Sequence, residues 1–364
     1  MAVRILHGAD FHLDSPFRSL TEEQARLRRR EMRELLGDIA DLAREEKSQL
    51  VLLSGDLFDS SAAYWETQEM LTDFLKRLSV PVFIAPGNHD YYSSRCPYVS
   101  MDLPENVHVF RTPRLVPMEI PELGVRVWGA GYTSPVCDDV MRGFSVGRSN
   151  LIELMVLHGE VGGDRYCPIK EEEIAASGLS YLALGHVHSF SGIRQAGRTV
   201  YAWPGCPEGR GFDETGKKGI IVGTVGKDKA DLRFVPTSRR EYKVMNVDLT
   251  GCEDAVTAVL AAVGTQERDN VVRFVLTGEY EGAVDVKGVA AALEGRCFAL
   301  EVRDDTRLAR DIWQGADEDS LKGIFLHRLR ERYEETTSDR EREEIRLAAR
   351  YGIAALEQRE AWRP

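Results

Sequence analysis

Long apolar runs are missing from the sequence. None approaches the ~18 residues that a membrane-spanning helix needs, and the start, MAVRILHGAD, lacks the apolar stretch and the small-residue cleavage site of a secretory signal. Cysteine is also scarce: six cysteines are scattered over 364 residues, and no two form a C-x-x-C pair. The sequence therefore indicates neither a disulfide framework nor a zinc knuckle, and we expect a cytoplasmic protein that has no membrane partner.

A surplus of basic residues is absent as well. The 47 lysines and arginines against 59 acidic residues give a formal net charge of -12, whereas domains that bind nucleic acid usually carry a basic surplus. Contact with nucleic acid would therefore need a local basic patch or metal ions. The hydrophobic content of 43% is that of an ordinary globular protein.

What the sequence contains is an alternation of strand-like and helix-forming segments. In the first half, RILHGAD, LVLLSGD and VPVFIAPGNHD are separated by helix-forming segments at residues 21–47 and 63–78, which is the βαβαβ pattern of an α/β domain. Thr21 and Gln24 form a predicted capping box at the start of the first helix. Strands with few helices between them then continue to about residue 240, so we expect one α/β domain over residues 1–240.

The pattern changes twice more along the chain. Residues 241–306 predict a small α+β capping domain, and residues 307–364 predict a helical C-terminal segment. In that segment apolar residues recur in two stripes, the first at i, i+4 spacing and the second at spacings of four and three, which predicts a helical hairpin. The stripes are Leu321, Phe325, Leu329 and Tyr333, and then Ile345, Ala349, Gly352 and Leu356.

Histidine, aspartate and asparagine side chains follow five of the strand-like runs directly. In open α/β sheets, ligands bind outside the carboxyl ends of the strands, so the five groups are predicted to converge. One such group alone is commonly a turn or a buried pair, but five in this order favour a common site. The groups are Asp10 with His12, Asp56, Asn88 with His89 and Asp90, His158, and His186 with His188.

The residue types of these groups favour bound metal ions. Imidazoles with carboxylates and a carboxamide form a mixed nitrogen and oxygen ligand set, which suits Mn, Fe or Zn and not an all-oxygen calcium site. Apart from His89 and Asp90, these groups supply seven candidate ligands, which are too many for one ion. Two ions that share a carboxylate would account for the number, and such a pair suits displacement at phosphorus. The D-x-H and H-x-H pairs fit as well, because residues i and i+2 of an extended segment point the same way.

The order of these motifs carries a resemblance to a known family. D-x-H, G-D-x-x-D, G-N-H-D, H and G-H-x-H in sequence resemble the calcineurin-like metallophosphoesterase superfamily, and ILHGADFHLDSPF, LSGDLFD and APGNHD resemble its SbcD-type DNA repair exonucleases. HLDSPF and YAWPGCPEGRGFDETGKKG resemble the YhaO subgroup. The resemblance covers residues 1 to about 240. It implies a four-layer α/β/β/α sandwich, here with a small α+β cap domain and a helical C-terminal tail.

The resemblance also implies a ligand set for two divalent ions. Asp10, His12, Asp56 and His188 would surround one ion, and Asp56, Asn88, His158 and His186 the other, with Asp56 as the bridge. The ions implied are Mn²⁺, with Fe or Zn as alternatives. The nucleophile would be a metal-bound hydroxide.

Other residues have roles that the resemblance or the residues themselves leave open. His89 would stabilise the attacked phosphate or protonate the leaving oxygen, and Asp90 would orient His89 or cap the following loop. Arg210 is predicted to bind substrate by holding a phosphate, or else to pair with Asp213 or Glu214. Some nuclease relatives have a histidine where this chain has Asp59. For His7 and Asp14, which flank the first motif, we expect a salt bridge or a buried hydrogen bond.

The function implied is metal-dependent hydrolysis of DNA phosphodiesters by a hydrolase of DNA repair, an exonuclease or endonuclease. The resemblance further implies a homodimer and an SMC-like (SbcC-type) coiled-coil ATPase as partner, with packing of the helical tail on its own core as the alternative. A second hypothesis is a phosphatase or phosphodiesterase that acts on a nucleotide or another small molecule, which the acidic composition favours. A third is a non-catalytic metal-binding partner of the ATPase.

Overall fold

The computed structural model describes residues 2–60, 62–264, 267–308 and 312–356. The chain divides into two compact units, of which the first comprises Met1–Met245, Gly264–Arg273 and Glu294–Glu301. The second comprises Asn246–Val263, Phe274–Leu293 and Val302–Pro364. The three consecutive domains predicted from the sequence stay a prediction, and residues 357–364 of the predicted tail lie outside the described residues.

The first six-stranded sheet has the order β14-β13-β1-β2-β3-β4. Strands β1 to β4 are parallel, and β13 and β14 extend the sheet in antiparallel pairing beyond β1. The short strand β2 is apolar and buried at every position, as expected for a parallel strand that is covered on both faces. The strands are β1 (Ala2–Gly8), β2 (Leu50–Leu53), β3 (Val82–Ile84), β4 (Val107–Val109), β13 (Gly219–Gly226) and β14 (Ala230–Pro236).

The second six-stranded sheet has the order β11-β12-β10-β7-β6-β5. Its four central strands are parallel, and each edge strand is antiparallel to its neighbour. The strands are β5 (Val116–Ile120), β6 (Val125–Gly129), β7 (Ile152–His158), β10 (Tyr181–Gly185), β11 (Arg194–Ala196) and β12 (Thr199–Ala202).

The two sheets and their helices form four layers. Helices α1 (Glu22–Glu45) and α2 (Trp65–Leu78) cover the first sheet, and α4 (Glu171–Ser177) lies on the second. Val51 and Leu53 of β2 lie in the core under α1 and α2, whereas Leu50 and Leu52 lie in the core between the sheets. The predicted α/β/β/α sandwich is confirmed.

The start of α1 follows the predicted capping box. Thr21 Oγ1 accepts a hydrogen bond from the backbone N of Gln24 at 3.3 Å, and Gln24 Oε1 accepts one from the backbone N of Thr21 at 3.1 Å. Two backbone donors that a helix start leaves without partners are thereby satisfied.

The other described strands form smaller sheets, and three short helices accompany them. A three-stranded sheet has the order β15-β16-β18, and two strand pairs accompany it, β8 with β9 and β17 with β19. The strands are β8 (Glu160–Val161), β9 (Pro168–Ile169), β15 (Tyr242–Asp248), β16 (Val271–Thr277), β17 (Glu279–Tyr280), β18 (Ala299–Asp304) and β19 (Arg307–Leu308). The helices are α3 (Pro97–Ser100), α5 (Ala255–Ala262) and α6 (Val286–Ala292).

The tail forms the predicted helical hairpin. Helices α7 (Leu321–Glu335) and α8 (Asp339–Leu356) pack around the buried Leu326 and Ala349. A Cβ atom at Gly352 would overlap the ring of Phe325, so a larger residue there would require that ring to move. Leu321 is 73% exposed and lies outside the packed face, contrary to the predicted stripe, because the buried face of α7 is centred on Gly323 and Leu326. Among the described helices, none is long and apolar enough to cross a membrane.

Candidate metal centre

The five groups of polar residues lie where the central parallel strands end. Asp10 and His12 follow β1, Asp56 follows β2, and Asn88 and His89 follow β3. His158 is the last residue of β7, and His186 and His188 follow β10. The parallel strands of both sheets thus deliver their polar ends to one region of the first unit.

One cluster forms around the rings of His12 and His188. Their Nε2 atoms lie 3.2 Å apart. His12 Nε2 lies 3.7 Å from Asp56 Oδ2, and His188 Nε2 lies 3.9 Å from Asp10 Oδ1. The four residues predicted for one ion therefore direct their ligand atoms toward each other.

A second cluster forms on the other side of Asp56. His158 Nε2 lies 2.9 Å from Asn88 Oδ1 and 3.3 Å from Asp56 Oδ2, and His186 Nδ1 lies 3.3 Å from the same Asn88 oxygen. Asp56 faces both clusters, which is the position that a shared carboxylate needs.

The backbone of this region adopts conformations that are uncommon outside glycine. Asp10, His12 and Asp56 have positive φ angles of 55°, 44° and 51°, and His186 has 99°. Backbone hydrogen bonds hold them: Asp10 N donates to Gly55 O at 3.0 Å and His12 N donates to Asp56 O at 2.9 Å. Strained residues of this kind cluster at functional sites.

Glycine is required at the end of β10 because another chain segment comes very close. A Cβ atom at Gly185 would overlap the carbonyl oxygen of Ser54, the residue that follows β2. This approach brings the ends of the two sheets together and places His186 beside the residues that follow β1 to β3.

Burial and neighbouring charges shift the pKa values of the cluster in opposite directions. Burial raises the pKa of Asp10 to about 6, although His158 and His188 act against the shift. Burial also raises the pKa of Asp56, but the adjacent His158 outweighs it, so that this pKa lies below its usual range. Burial lowers the pKa of His158, but the adjacent Asp56 carboxylate outweighs burial and raises this pKa to about 9. Burial lowers the pKa of His12 to about 4.

The residues fit divalent cations. Asp10 and Asp56 are fully buried carboxylates, and in the part of the chain that the structure describes their ion pairs are with histidines and not with lysine or arginine. The side chains form three overlapping sets, and within each set the ligand atoms lie within 4.8 Å of one another. The sets are Asp10, His12 and His188; His12, Asp56 and His89; and Asp10, Asp56 and His158. Buried carboxylates among imidazole nitrogens are the donors that Mn, Fe or Zn would take.

His89 lies at the exposed rim of the centre. Its Nδ1 is 2.9 Å from the carbonyl oxygen of Asp59, and its ring is edge-on to that of His12, with centroids 4.8 Å apart. A carbonyl only accepts hydrogen bonds, so Nδ1 carries the proton of the neutral ring. This position is compatible with a ligand role and with a role toward substrate.

Asp90 is buried and supports the loop that carries Asp56. Its oxygens accept from the backbone nitrogens of Asp56, Leu57 and Gly87, at 3.2, 2.8 and 2.7 Å, and from Tyr98 Oη. These contacts fit the alternative of a loop cap. A role in orienting His89 stays a prediction.

Arg210 is engaged within the protein. Its Nε donates to Glu214 Oε2 at 3.1 Å and its Nη1 donates to Asp59 Oδ1 at 3.3 Å, and only 12% of its side chain is exposed. Of the alternatives left open for this residue, the pair with Glu214 is present. Phosphate binding by Arg210 stays a prediction.

Two carboxylates lie beside predicted ligands although no sequence motif predicts them there, and Asp59, beside His12, stands out in the sequence only as a departure from relatives. Glu214 Oε1 lies 2.7 Å from His188 Nδ1, and Glu160 Oε2 lies 3.9 Å from His186 Nε2. Glu160 directly follows HG in LHGE, so its place near the site could have been suspected. No spacing in the sequence connects Glu214 with His188.

His7 and Asp14 make the hydrogen bonds expected of them. His7 Nδ1 lies 2.8 Å from Tyr181 Oη and its Nε2 lies 3.0 Å from Ser54 Oγ. Asp14 accepts from the backbone N of Tyr64 and from Thr67 Oγ1. Both residues support loops next to the centre.

The chain is similar to proteins of known families. Residues 3–190 match the family model described as Metallophos, calcineurin-like phosphoesterase. The chain is 26% identical over 272 residues to "Uncharacterized metallophosphoesterase YhaO" of Bacillus subtilis (strain 168), which covers 71% of this chain and 66% of that protein. It is 25% identical to "DNA double-strand break repair protein Mre11" of Saccharolobus solfataricus, over 68% of this chain and 66% of that protein.

A third relative is a subunit of the nuclease SbcCD of Bacillus subtilis (strain 168), 25% identical over 59% of this chain and 64% of that protein. The alignments thus span slightly less than two thirds of the length of the curated relatives.

Proposed function

Because the chain belongs to the calcineurin-like phosphoesterase family, we propose that it is a metal-dependent phosphodiesterase and that its substrate is DNA. The observation that carries the proposal is the convergence of buried carboxylates and imidazoles from five strand ends on one centre. Asp10, His12, Asp56 and His188 would hold one divalent ion, most consistent with Mn²⁺, and Asp56, Asn88, His158 and His186 the other. When bound, such ions lower the pKa of a water molecule and offset the charge of the phosphate.

His89 is the residue of the chain best placed to act on the substrate. It is exposed, whereas Asp10, His12, Asp56 and His158 are buried. Because the carbonyl of Asp59 holds the Nδ1 proton, Nε2 is the ring nitrogen that would face a phosphate. The imidazolium form would donate from this nitrogen, to an oxygen of the attacked phosphate or to the leaving oxygen.

DNA as the substrate is supported by the relatives. Two proteins to which the chain is similar are named as a DNA double-strand break repair protein and as part of a nuclease. The second is named as one subunit of a nuclease, which supports a partner chain, and the proposal keeps the SMC-like coiled-coil ATPase and the homodimer that the family resemblance implies. The net charge of -12 favours the competing substrate class, a nucleotide or another small phosphodiester.

The proposal is tested by hydrolysis assays on the manganese-loaded full chain. Linear single- and double-stranded DNA are compared with a bis-aryl phosphodiester and with nucleotides, for the wild type and for His89→Ala. We expect metal-dependent DNA hydrolysis that falls by ~10²–10⁴-fold in the variant. His327→Ala, which removes an exposed histidine of α7, is the matched control and should retain full activity.

Comparison of DNA with the bis-aryl phosphodiester also distinguishes the two possible roles of His89. An aryloxide leaves without help from an acid, so a His89 that protonates the leaving oxygen affects DNA hydrolysis far more than aryl ester hydrolysis. A His89 that stabilises the phosphate affects both equally. Turnover of small esters with intact DNA would overturn the DNA assignment, and a protein that hydrolyses none of these substrates would support a non-catalytic metal-binding role.

A further inference from the structure

Glu214 lies behind one predicted ligand, on the side away from the metal centre. Its Oε1 is 2.7 Å from His188 Nδ1, whereas the Nε2 of the same ring faces Asp10 and His12. Glu214 is buried and belongs to the loop after β12. A carboxylate in this position can only accept a hydrogen bond, so it selects the tautomer of His188 that has its proton on Nδ1.

That tautomer is the one that can bind a metal. With the proton on Nδ1, the lone pair of Nε2 is free and points into the centre. Arg210 Nη2 also lies 3.1 Å from His188 Nδ1, but arginine only donates. If Arg210 were the partner, the proton of the neutral ring would be on Nε2 and the ring could not bind a metal there. The two arrangements exclude each other, and Glu214 is the partner that leaves His188 competent.

Arg210 connects Glu214 with a second carboxylate. It donates through its backbone N to Glu214 Oε2 at 2.8 Å, and through Nη1 to Asp59 Oδ1 at 3.3 Å. Asp59 Oδ1 lies 3.3 Å from His12 Nδ1, again on the side of the ring away from the centre. His188 Nδ1 thus has a carboxylate oxygen at 2.7 Å, and Asp59, which Arg210 also holds, lies beside His12 Nδ1 without forming a hydrogen bond to it.

The other cluster has no such support among the described residues. His158 Nδ1 lies 2.9 Å from the carbonyl oxygen of Ser54, an uncharged acceptor. Glu160 lies 3.9 Å from His186 Nε2, which is too far for a direct hydrogen bond. Carboxylates behind histidine ligands raise the basicity of the ligand, and neutral carbonyls do so less.

We propose that Glu214 is a positioning residue that, together with Arg210 and Asp59, makes the ion held by His12 and His188 the more tightly bound of the two. This inference rests on the proposed function, since it concerns the same centre. Loss of an outer partner of a metal-bound histidine lowers metal affinity by ~10–100-fold. The loss should fall on one ion, because within the described part of the chain the Glu214 carboxylate contacts His188 and Arg210 and not the cluster of His158 and His186.

The test is calorimetric titration of Mn²⁺ into metal-free wild type, Glu214→Ala and Asp213→Ala. Asp213 is the matched control, because it is an exposed carboxylate next to Glu214 in the chain and its removal changes the net charge equally. We expect two binding events in the wild type and in Asp213→Ala. In Glu214→Ala the tighter event should weaken by ~10–100-fold while the other stays within a factor of about three.

Electron paramagnetic resonance of the same samples gives an independent signature. With two equivalents of Mn²⁺ the wild type should show a coupled pair, whereas in Glu214→Ala a smaller share of the Mn²⁺ should be in coupled pairs. Glu214→Gln keeps an accepting oxygen and should restore part of the affinity, and it is the variant to use if Glu214→Ala does not fold. The melting temperature of each metal-free variant reports folding.

The outcomes distinguish the two proposals. A wild type that binds no Mn²⁺ contradicts the proposed function itself. A wild type that binds two ions, with unchanged affinities in both Glu214 variants, contradicts only the positioning role. Equal weakening of both ions in Glu214→Ala also contradicts it, because the role assigned is specific to one ion.

Discussion

Asp90 and His7 are buried polar residues beside the centre, and hydrogen bonds within the protein satisfy both. Four donors surround the Asp90 carboxylate, and Tyr181 and Ser54 contact the two ring nitrogens of His7. A buried group of this kind resists a change of protonation state, because the new state has neither water nor a matching partner. Side chains that are not predicted ligands therefore support the loops and strands that carry the ligands.

His7 leads to a prediction about pH and stability. Burial lowers its pKa from 6.5 to about 3, so the folded protein keeps the ring neutral where the unfolded chain binds a proton. Stability therefore falls as the pH drops from about 6.5 toward 3, by up to ~1.4 kcal/mol per pH unit from this residue. His7→Gln lacks the titrating ring and should lose less stability over the same range.

The measurement is urea unfolding of metal-free wild type and His7→Gln at pH 7, 6 and 5. As the pH falls, the free energy of unfolding of the wild type should decrease more than that of His7→Gln. Parallel pH profiles for the two proteins would contradict the assignment to His7, since all other histidines are common to both.

At the scale of elements, the parallel strands place the chemistry and the helices hold the strands. β2 is buried along its whole length and ends two residues before Gly55 and three before Asp56. α1 covers the same sheet and is fixed at its start by the capping box of Thr21 and Gln24. The hydrogen bonds of the capping box are made by Thr21 and Gln24 and not by a predicted ligand, so the cap can be changed without removing a ligand.

Thr21→Ala removes one half of the capping box. We expect the free energy of unfolding to fall by ~1 kcal/mol, within the range of about 0.5–2 known for N-cap residues, since the backbone N of Gln24 loses its partner. Denaturant unfolding gives the value, and Thr21→Ser, which keeps the hydroxyl, should lose little. Mn²⁺ affinity should not change in either variant. Equal losses in the serine and alanine variants would show that the methyl group matters and the cap does not.

At the scale of the whole molecule, an acidic chain carries a centre that is itself rich in buried carboxylates. The formal charge of -12 and the burial of Asp10 beside Asp56 both oppose compact folding. Within the centre, histidines offset part of the repulsion between the carboxylates. Divalent cations would offset the rest, which couples metal binding to folding.

Metal addition should therefore stabilise the protein. With Mn²⁺ at 100 times its dissociation constant, each site adds ~2.7 kcal/mol to the free energy of unfolding, so the melting temperature should rise on addition of Mn²⁺ and return with a chelator. Scanning calorimetry measures both steps. Asp56→Asn, which changes the carboxylate facing both clusters, should abolish most of the rise. The same rise in this variant as in the wild type would exclude Asp56 as a shared ligand.

The sequence by itself determined the fold class, the family and the set of candidate ligands. This was possible because each motif is local: a strand, a turn and one or two polar residues within about ten positions, as in ILHGADFHLD or APGNHD. The rule that parallel strands present their carboxyl ends together then brings distant motifs to one place. The capping box of α1 and the helical hairpin of the tail are local in the same sense.

The tertiary structure alone decided how the candidates are supported. Arg210 meets Asp59 across 151 positions of sequence, and Asp90 reaches the backbone of Leu57 from 33 positions away. No local pattern marks such pairs, because each depends on how two loops from different strands pass each other. The partner of each ring nitrogen, and with it the tautomer of each histidine, is set by these long-range contacts and therefore appears only in the folded chain.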